Sequence, residues 1–246
     1  MVSIKKDLIY QDCWIDGKIE QKGSRECKNR YISIKNNINK LNIGKNFYVL
    51  DIGSNLGYFS FRFAYDFDCN VIMLENHLNE SKEFDTKVRN LCKKQKNNFK
   101  ISLIRQYLTE KDFKKFYDNN ITFDVVLALR VIHHHEDPLN ELKLLNKISK
   151  YIFLQLPNKT EPKKLNHSER RLHNVAKYFQ NHKEFLKDFD YEKLGDFYIN
   201  NKRSGKKSPM YLIKNENIKI KKYDNFTETL KNFSIQNNLN FEYPVL

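Results

Sequence analysis

Two groups of residues in this chain have side chains of types and spacings suited to chemistry. The first is Asp51, Gly53, Gly57 and Glu75, two carboxylates set about the glycine-bearing stretch Val49-Leu50-Asp51-Ile52-Gly53-Ser54-Asn55-Leu56-Gly57-Tyr58-Phe59. The second is the run His133-His134-His135, followed closely by Asp137-Pro138. Glycine reaches positive φ and admits a ligand close to the backbone, so a strand-glycine-helix junction makes a nucleotide pocket. Dinucleotide sites favour G-x-G-x-x-G because a diphosphate sits on the helix N-terminus, whereas the spacing here is Gly53-x-x-x-Gly57 with Asp51 just before it. A carboxylate there repels a diphosphate and suits a cationic ligand. Glu75 closes the next apolar run at the separation expected of a ribose-binding acid. Histidine is the side chain best placed to take a proton near neutral pH. The ordinary structural roles are a helix cap for Asp51, a solvated strand end for Glu75 and hydrogen-bonded loop positions for the histidines.

Chemistry of this kind needs strands that end together. Short apolar runs alternate with segments of helical spacing along the chain, the signal for parallel strands joined by crossover helices. Tyr31, Ile34, Ile38 and Leu41 recur at helical intervals before Gly44. Strands are expected at 47–52, 70–75, 99–104, 123–129 and 151–156, with helices at 57–66, 79–94, 109–118 and 137–149. Pro138 stands where a first helical turn tolerates it, and Pro157 stops the fifth strand. A helix over 166–189 and two last strands, 191–199 and 209–214, complete the pattern. The loop NNKRSGKKS between those strands suits an antiparallel hairpin.

At 246 residues the chain is long enough for one α/β domain. A content of 40% apolar and 13% aromatic residues excludes wholesale disorder. No apolar stretch approaches the roughly 18 residues of a membrane span, and MVSIKKDLIYQDCW lacks the apolar core of a secretory signal, so a cytoplasmic protein is expected. Cys13, Cys27, Cys69 and Cys92 never fall as C-x-x-C and are expected as thiols. Adjacent histidine side chains diverge, so no metal site is expected at 133–135. The formal charge of +14 fits a nucleic-acid partner, or a solvated surface of scattered lysines and asparagines.

The motifs resemble those of class I S-adenosylmethionine-dependent methyltransferases. VLDIGSNLGYFS is similar to their first motif and VIMLE to their acid-bearing second strand. FDVVLALRVIHHHEDP resembles the fourth-strand motif of the subgroup with a histidine turn. The resemblance covers about residues 47–157. It implies a Rossmann-like, doubly wound α/β fold, with a mostly parallel seven-stranded sheet ending in an antiparallel C-terminal hairpin, in three α/β/α layers. Residues 1–45 would form an N-terminal arm and lid helix, and 46–246 the methyltransferase domain with a helical insertion at about 158–189. S-adenosyl-L-methionine would be the cofactor. Asp51, Gly53, Ser54, Asn55 and Gly57 would surround its methionine part and Glu75 its ribose, with Asn76 on the adenine side and Tyr58, Leu129 and Arg130 also against the cofactor. Gln106 stands where the family often has an acid near adenine.

For a hydroxyl acceptor the protein must align the reactants and remove a proton. His134, the middle of the turn, is the first candidate base and His133 the second. Arg25, Arg30 and Tyr31, in the segment leading into the first helix, match an anionic acceptor group, since guanidinium forks fit phosphate and carboxylate. His135 and the basic pair Arg170 and Arg171 are further acceptor-side candidates, while Trp14 and Tyr10 are expected to anchor the arm. The expected reaction is O-methylation of a small anionic, sugar or nucleotide-linked metabolite. An RNA methyltransferase using the basic surface and a cofactor-binding scaffold without chemistry are the alternatives.

Overall fold

The computed structural model describes residues 10–76, 82–95, 99–158, 177–200 and 207–243. A short hairpin opens it, β1 (Cys13–Ile15) and β2 (Lys18–Gln21), followed by helix α1 (Lys28–Leu41). Then come β3 (Tyr48–Ile52), α2 (Tyr58–Phe67), β4 (Asn70–Leu74), α3 (Lys82–Lys94), β5 (Ile101–Ile104), α4 (Glu110–Asp118) and β6 (Phe123–Leu129). A 3-10 turn at Ile132–His134 leads to α5 (Pro138–Ile148) and β7 (Ser149–Gln155). The chain ends with the short α6 (His182–Phe185), β8 (Asp190–Tyr198), β9 (Lys207–Lys214), α7 (Phe226–Gln236) and β10 (Phe241–Glu242).

One sheet of eight strands, in the order β10-β5-β4-β3-β6-β7-β9-β8, organises the molecule. The strands β5, β4, β3, β6 and β7 are parallel, and β9 returns antiparallel against β7 with β8 outside it. The expected hairpin is therefore present. The sheet has one strand more than the seven expected, because β10 pairs antiparallel with β5 at the far edge. Two residues carry no periodicity to read. Ion pairs hold them instead, Arg105 Nη2 lying 2.6 Å from Glu242 Oε2 and Arg89 pairing with the same carboxylate.

Side chains of a strand alternate between faces, and here both faces are covered. Leu50, Ile72, Val126, Ile152 and Leu154 pack against Phe113 and Phe116 of α4, Leu142 and Leu145 of α5, and Leu230 and Phe233 of α7. Val49, Val71, Val125 and Phe153 face Tyr31 and Ile34 of α1, Phe59 and Phe63 of α2, and Val88 and Leu91 of α3. Each fully buried Phe or Leu contributes about 1.5–3 kcal/mol, which is why these runs read so clearly as strands and helices. Trp14 anchors the N-terminal hairpin as expected, its ring meeting Tyr65 edge-on at 5.1 Å.

The single helix expected over 166–189 is not what the described part shows. Within it α6 is only four residues, capped by the Asn181 side chain accepting from Glu184 N, and residues 159–176 lie outside the described residues. Among the described residues no helix is long and apolar enough to cross a membrane.

The chain runs outward through β4 and β5, then restarts at β6 on the other side of β3. The loops after β3 and β6 therefore part in opposite directions, and a crevice opens at the carboxyl ends of these two strands.

Candidate active site

Asp51, next to last in β3, is buried, and its Oδ2 accepts a 2.6 Å hydrogen bond from Ser60 Oγ on α2. Burial pushes its carboxyl up to about 7, the Ser60 bond opposing this and nearby Glu75 adding to it. The strand then ends in a tight turn: Gly53 N and Ser54 N both donate to Leu74 O, at 2.9 and 3.0 Å. Gly53 takes φ +68°, and a Cβ on it would lie 3.0 Å from Val131 Cγ2, so the turn after β3 touches the turn after β6 only because that side chain is missing. Asn55, at φ +53°, donates its backbone N–H to Glu75 Oε2 at 2.7 Å. The Ser54 hydroxyl and Asn55 Oδ1 are buried without a hydrogen-bond partner among the described residues.

Across the crevice β6 ends at Leu129, and Arg130 turns the chain at φ +63°. Its backbone donates to Gln155 O at 3.0 Å and its Nη1 to Ser208 Oγ at 3.0 Å. The 3-10 turn closes with His134 N donating to Val131 O, and Asp137 caps α5 by accepting from Asn140 N. His133 is buried, its ring 4.1 Å from that of His134, which is exposed. His135 is buried and its Nδ1 is hydrogen-bonded to Glu141 Oε2.

A cavity of about 550 Å³ joins the two sides. From the first two strands Asp51, Gly53, Asn55, Glu75 and Asn76 line it; from the fourth parallel segment come Leu129, Arg130, His134 and His135. Arg25 and Arg30 close the N-terminal side. Arg30 is buried, with Nη1 donating to Gln155 Oε1 at 3.1 Å. Arg25 is only partly buried; it donates to Asn200 Oδ1 at 2.8 Å and lies 4.4 Å over the Tyr10 ring.

Five residues expected at the site are elsewhere. Tyr31 is a core residue whose hydroxyl donates to Asp66 Oδ2 at 2.6 Å, so it has no reach to an acceptor. Tyr58 is fully buried and its hydroxyl accepts from Arg62. Ser54 and His133 are buried behind the wall. Gly57, at φ +78°, packs the first turn of α2 against Met73 and is not among the residues lining the cavity. Arg170 and Arg171 lie outside the described residues. Eight wall residues were not among those expected at the site: Gln11, Ile52, Phe59, Leu74, Tyr107, Leu108, Val131 and Ile199. Tyr10, expected only as an anchor, also faces the cavity, and so does Gln106. Among the described residues no group of three or more His, Cys, Asp or Glu side chains is arranged to hold a metal.

The bifunctional kinase-methyltransferase WbdD superposes with a TM-score of 0.60 at 21% identity, over 79% of this chain and 41% of that one. Monomeric WbdD gives 0.62 at 20% identity, over 86% and 47%. The N-terminal domain of EvdMO1 with SAH bound gives 0.52 at 14% identity, over 85% and 91%. The chain thus spans less than half the length of the WbdD chains it matches. No family model and no curated protein matches its sequence. The chain has the Rossmann-like, mostly parallel α/β fold of methyltransferase domains.

Proposed function

We propose that the chain is an S-adenosylmethionine-dependent methyltransferase that methylates a hydroxyl of a small anionic, sugar or nucleotide-linked acceptor. The observation that carries this reading is the single cavity joining the Asp51 and Glu75 carboxylates to the histidine turn. Its volume falls in the range of about 300–1,000 Å³ usual for small-molecule sites. Asp51 meets no Lys or Arg side chain among the described residues, and its desolvated carboxyl is raised to about 7. A ligand bearing a positive charge restores the ionised form, so the residues present fit this cofactor. Bound there, the cofactor supplies an electrophilic methyl group on a sulfonium. That EvdMO1 was solved in the presence of SAH and D-fucose supports both a cofactor of this kind and a sugar acceptor.

The chain's own residues divide the work. Asp51 takes the cofactor's ammonium end, Glu75 its ribose hydroxyls, and Asn76, Gln106 and Leu108 form the wall for its base. The cofactor also carries a carboxylate, and buried Arg30, held by Gln155, is the guanidinium suited to it. Arg25, partly exposed on the N-terminal side, is left for the acceptor's anionic group. The histidine turn supplies the proton acceptor, with exposed His134 orienting the incoming hydroxyl. Calorimetry on the purified chain should show S-adenosylmethionine or SAH binding without added metal. Binding of NAD in place of both overturns the reading. Mass spectrometry of acceptors incubated with labelled cofactor should then find a gain of one methyl group. A steep loss of polynucleotide binding with rising salt, together with methyl gain on RNA alone, would replace the small acceptor by a nucleic acid.

A further inference from the structure

His135 and Glu141 form a buried pair on the histidine side of the cavity, with side chains only 4% and 2% exposed. Glu141 lies in the first turn of α5 among the buried positions Pro138, Leu142 and Leu145, where packing alone calls for an apolar residue. Burial drives its carboxyl above the usual range, and the hydrogen bond from His135 opposes that shift. Such an acid is retained only with a hydrogen-bonded partner. The imidazole plane is set as well: Phe113 stacks on it within 11°, and the Tyr107 ring sits 5.0 Å away, both reaching over from beyond β5. Glu110 and Asp137 add negative charge around Glu141, and Tyr107 is a titratable neighbour of the ring.

We propose that His135 takes the proton from the acceptor hydroxyl and that Glu141 is its positioning residue, an inference that rests on the methyltransferase reading. A carboxylate on Nδ1 selects the tautomer with hydrogen on Nδ1 and the lone pair on Nε2. The hydroxyl proton passes to Nε2 as the acceptor oxygen bonds to the methyl carbon. The carbon–sulfur bond breaks, its electron pair stays on sulfur, and a neutral thioether results. The positive charge gained by the imidazole is balanced by Glu141, in a buried place where an unbalanced charge is strongly disfavoured. His134, exposed on the same wall, orients the acceptor without this balancing acid.

Long-range nitrogen–proton NMR of the cofactor-free protein tests the pair without any turnover. His135 should carry its hydrogen on Nδ1, and Glu141→Gln should erode that preference. Wild-type His135 protonated on Nε2 alone overturns the proposal. In turnover assays His135→Gln should lower kcat by about 10²–10⁴, the range for losing a positioned base, with SAH affinity unchanged. Glu141→Gln should lose on the order of 10² in kcat, as for a misplaced catalytic group, with its acid limb moved to lower pH. Glu141→Asp should recover part of the rate. A Glu141→Gln protein with wild-type rate and pH profile overturns the positioning role. Loss of the acid limb in His134→Ala but not in His135→Gln moves the base to His134 and ends the proposal. Wild-type protein that binds neither S-adenosylmethionine nor SAH refutes the methyltransferase reading instead, and the tautomer then reports only the pair.

Discussion

The carboxylate side of the cavity is set by backbone, the histidine side by side chains borrowed from helices. Asp51 and Glu75 end two adjacent parallel strands whose register places Asp51 opposite Met73, and the turn between them is pinned by paired bonds to Leu74 O. Positions of that kind move little, because shifting one breaks ladder bonds on both neighbours. His133 to His135 hang on a 3-10 turn, and the ring of His135 is oriented by Glu141 from α5 and by Phe113 from α4. The first side resembles a socket formed with the sheet. The second is assembled by tertiary packing, so its members can be retuned singly. Substitutions on the carboxylate side should therefore change cofactor affinity or the fold itself, and those on the histidine side turnover.

The largest effect on cofactor binding is at Asp51. Asp51→Ala removes a charge-assisted hydrogen bond worth about 1.5–3 kcal/mol to a cationic ligand, so SAH or S-adenosylmethionine should bind roughly 10- to 150-fold more weakly by calorimetry. The pH dependence sharpens it. Burial raises the Asp51 carboxyl from 3.8 to about 7, so the folded, ligand-free chain holds a proton that the unfolded chain has lost. The folded state binds more protons in that window, and this group's contribution to stability declines as pH rises from about 4 through about 7. A cationic ligand favours the ionised form, so cofactor binding near pH 6 should release a proton and tighten as pH approaches 7. Calorimetry in buffers of different ionisation heat reads that release. Its persistence in Asp51→Ala would place the titrating group elsewhere.

A smaller effect separates socket from fold. Gly57→Ala puts a Cβ 2.7 Å from Phe61 Cε2 and 2.9 Å from Met73 Cε at φ +78°. The strain of a non-glycine residue there is of order 1–3 kcal/mol, so the melting temperature should drop by several degrees. The folded fraction should retain its His135 tautomer, because the two sides are held by different elements. Loss of both together would show that the division is wrong.

What the sequence made legible follows the same line. The five parallel strands were readable because each buries apolar side chains on both faces, and Asp51, Gly53 and Glu75 followed from strand ends, while Asn55 came only from the family resemblance. The hairpin β1–β2 was not, since KIEQ is exposed at every position and β1 is three residues long. Tyr31 neighbours Arg30 in a segment suited to an anion, yet it shares its helical stripe with Ile34 and Ile38. The stripe was the stronger signal, and the residue lies in the core. Glu141 has a signal in the sequence, an acid among the buried positions of an amphipathic helix. Gln11 and Tyr107 had none, because only the fold brings residues so far apart in the chain to one wall.

The smallest effect is at Arg25, and it tests whether the N-terminal arm belongs to the acceptor or to the cofactor. Its guanidinium is tied to Asn200 and stacked on Tyr10, at a place that solvent reaches. An exposed ion pair contributes about 0.2–1 kcal/mol and is screened by salt. Arg25→Gln should therefore raise the acceptor's KM only several-fold, less at higher ionic strength, with cofactor affinity nearly unchanged. Arg30 is buried against Gln155, so Arg30→Gln should weaken the cofactor instead, and by more, because a desolvated guanidinium is screened little. If both substitutions raise only the acceptor's KM, both arginines hold the acceptor, and the cofactor's carboxylate is met by another group. Equal loss of both affinities in either variant would mean that the arm closes over the whole cavity as one body. The contrast between a burial-fixed charge and a rim charge would then no longer decide which ligand each arginine serves.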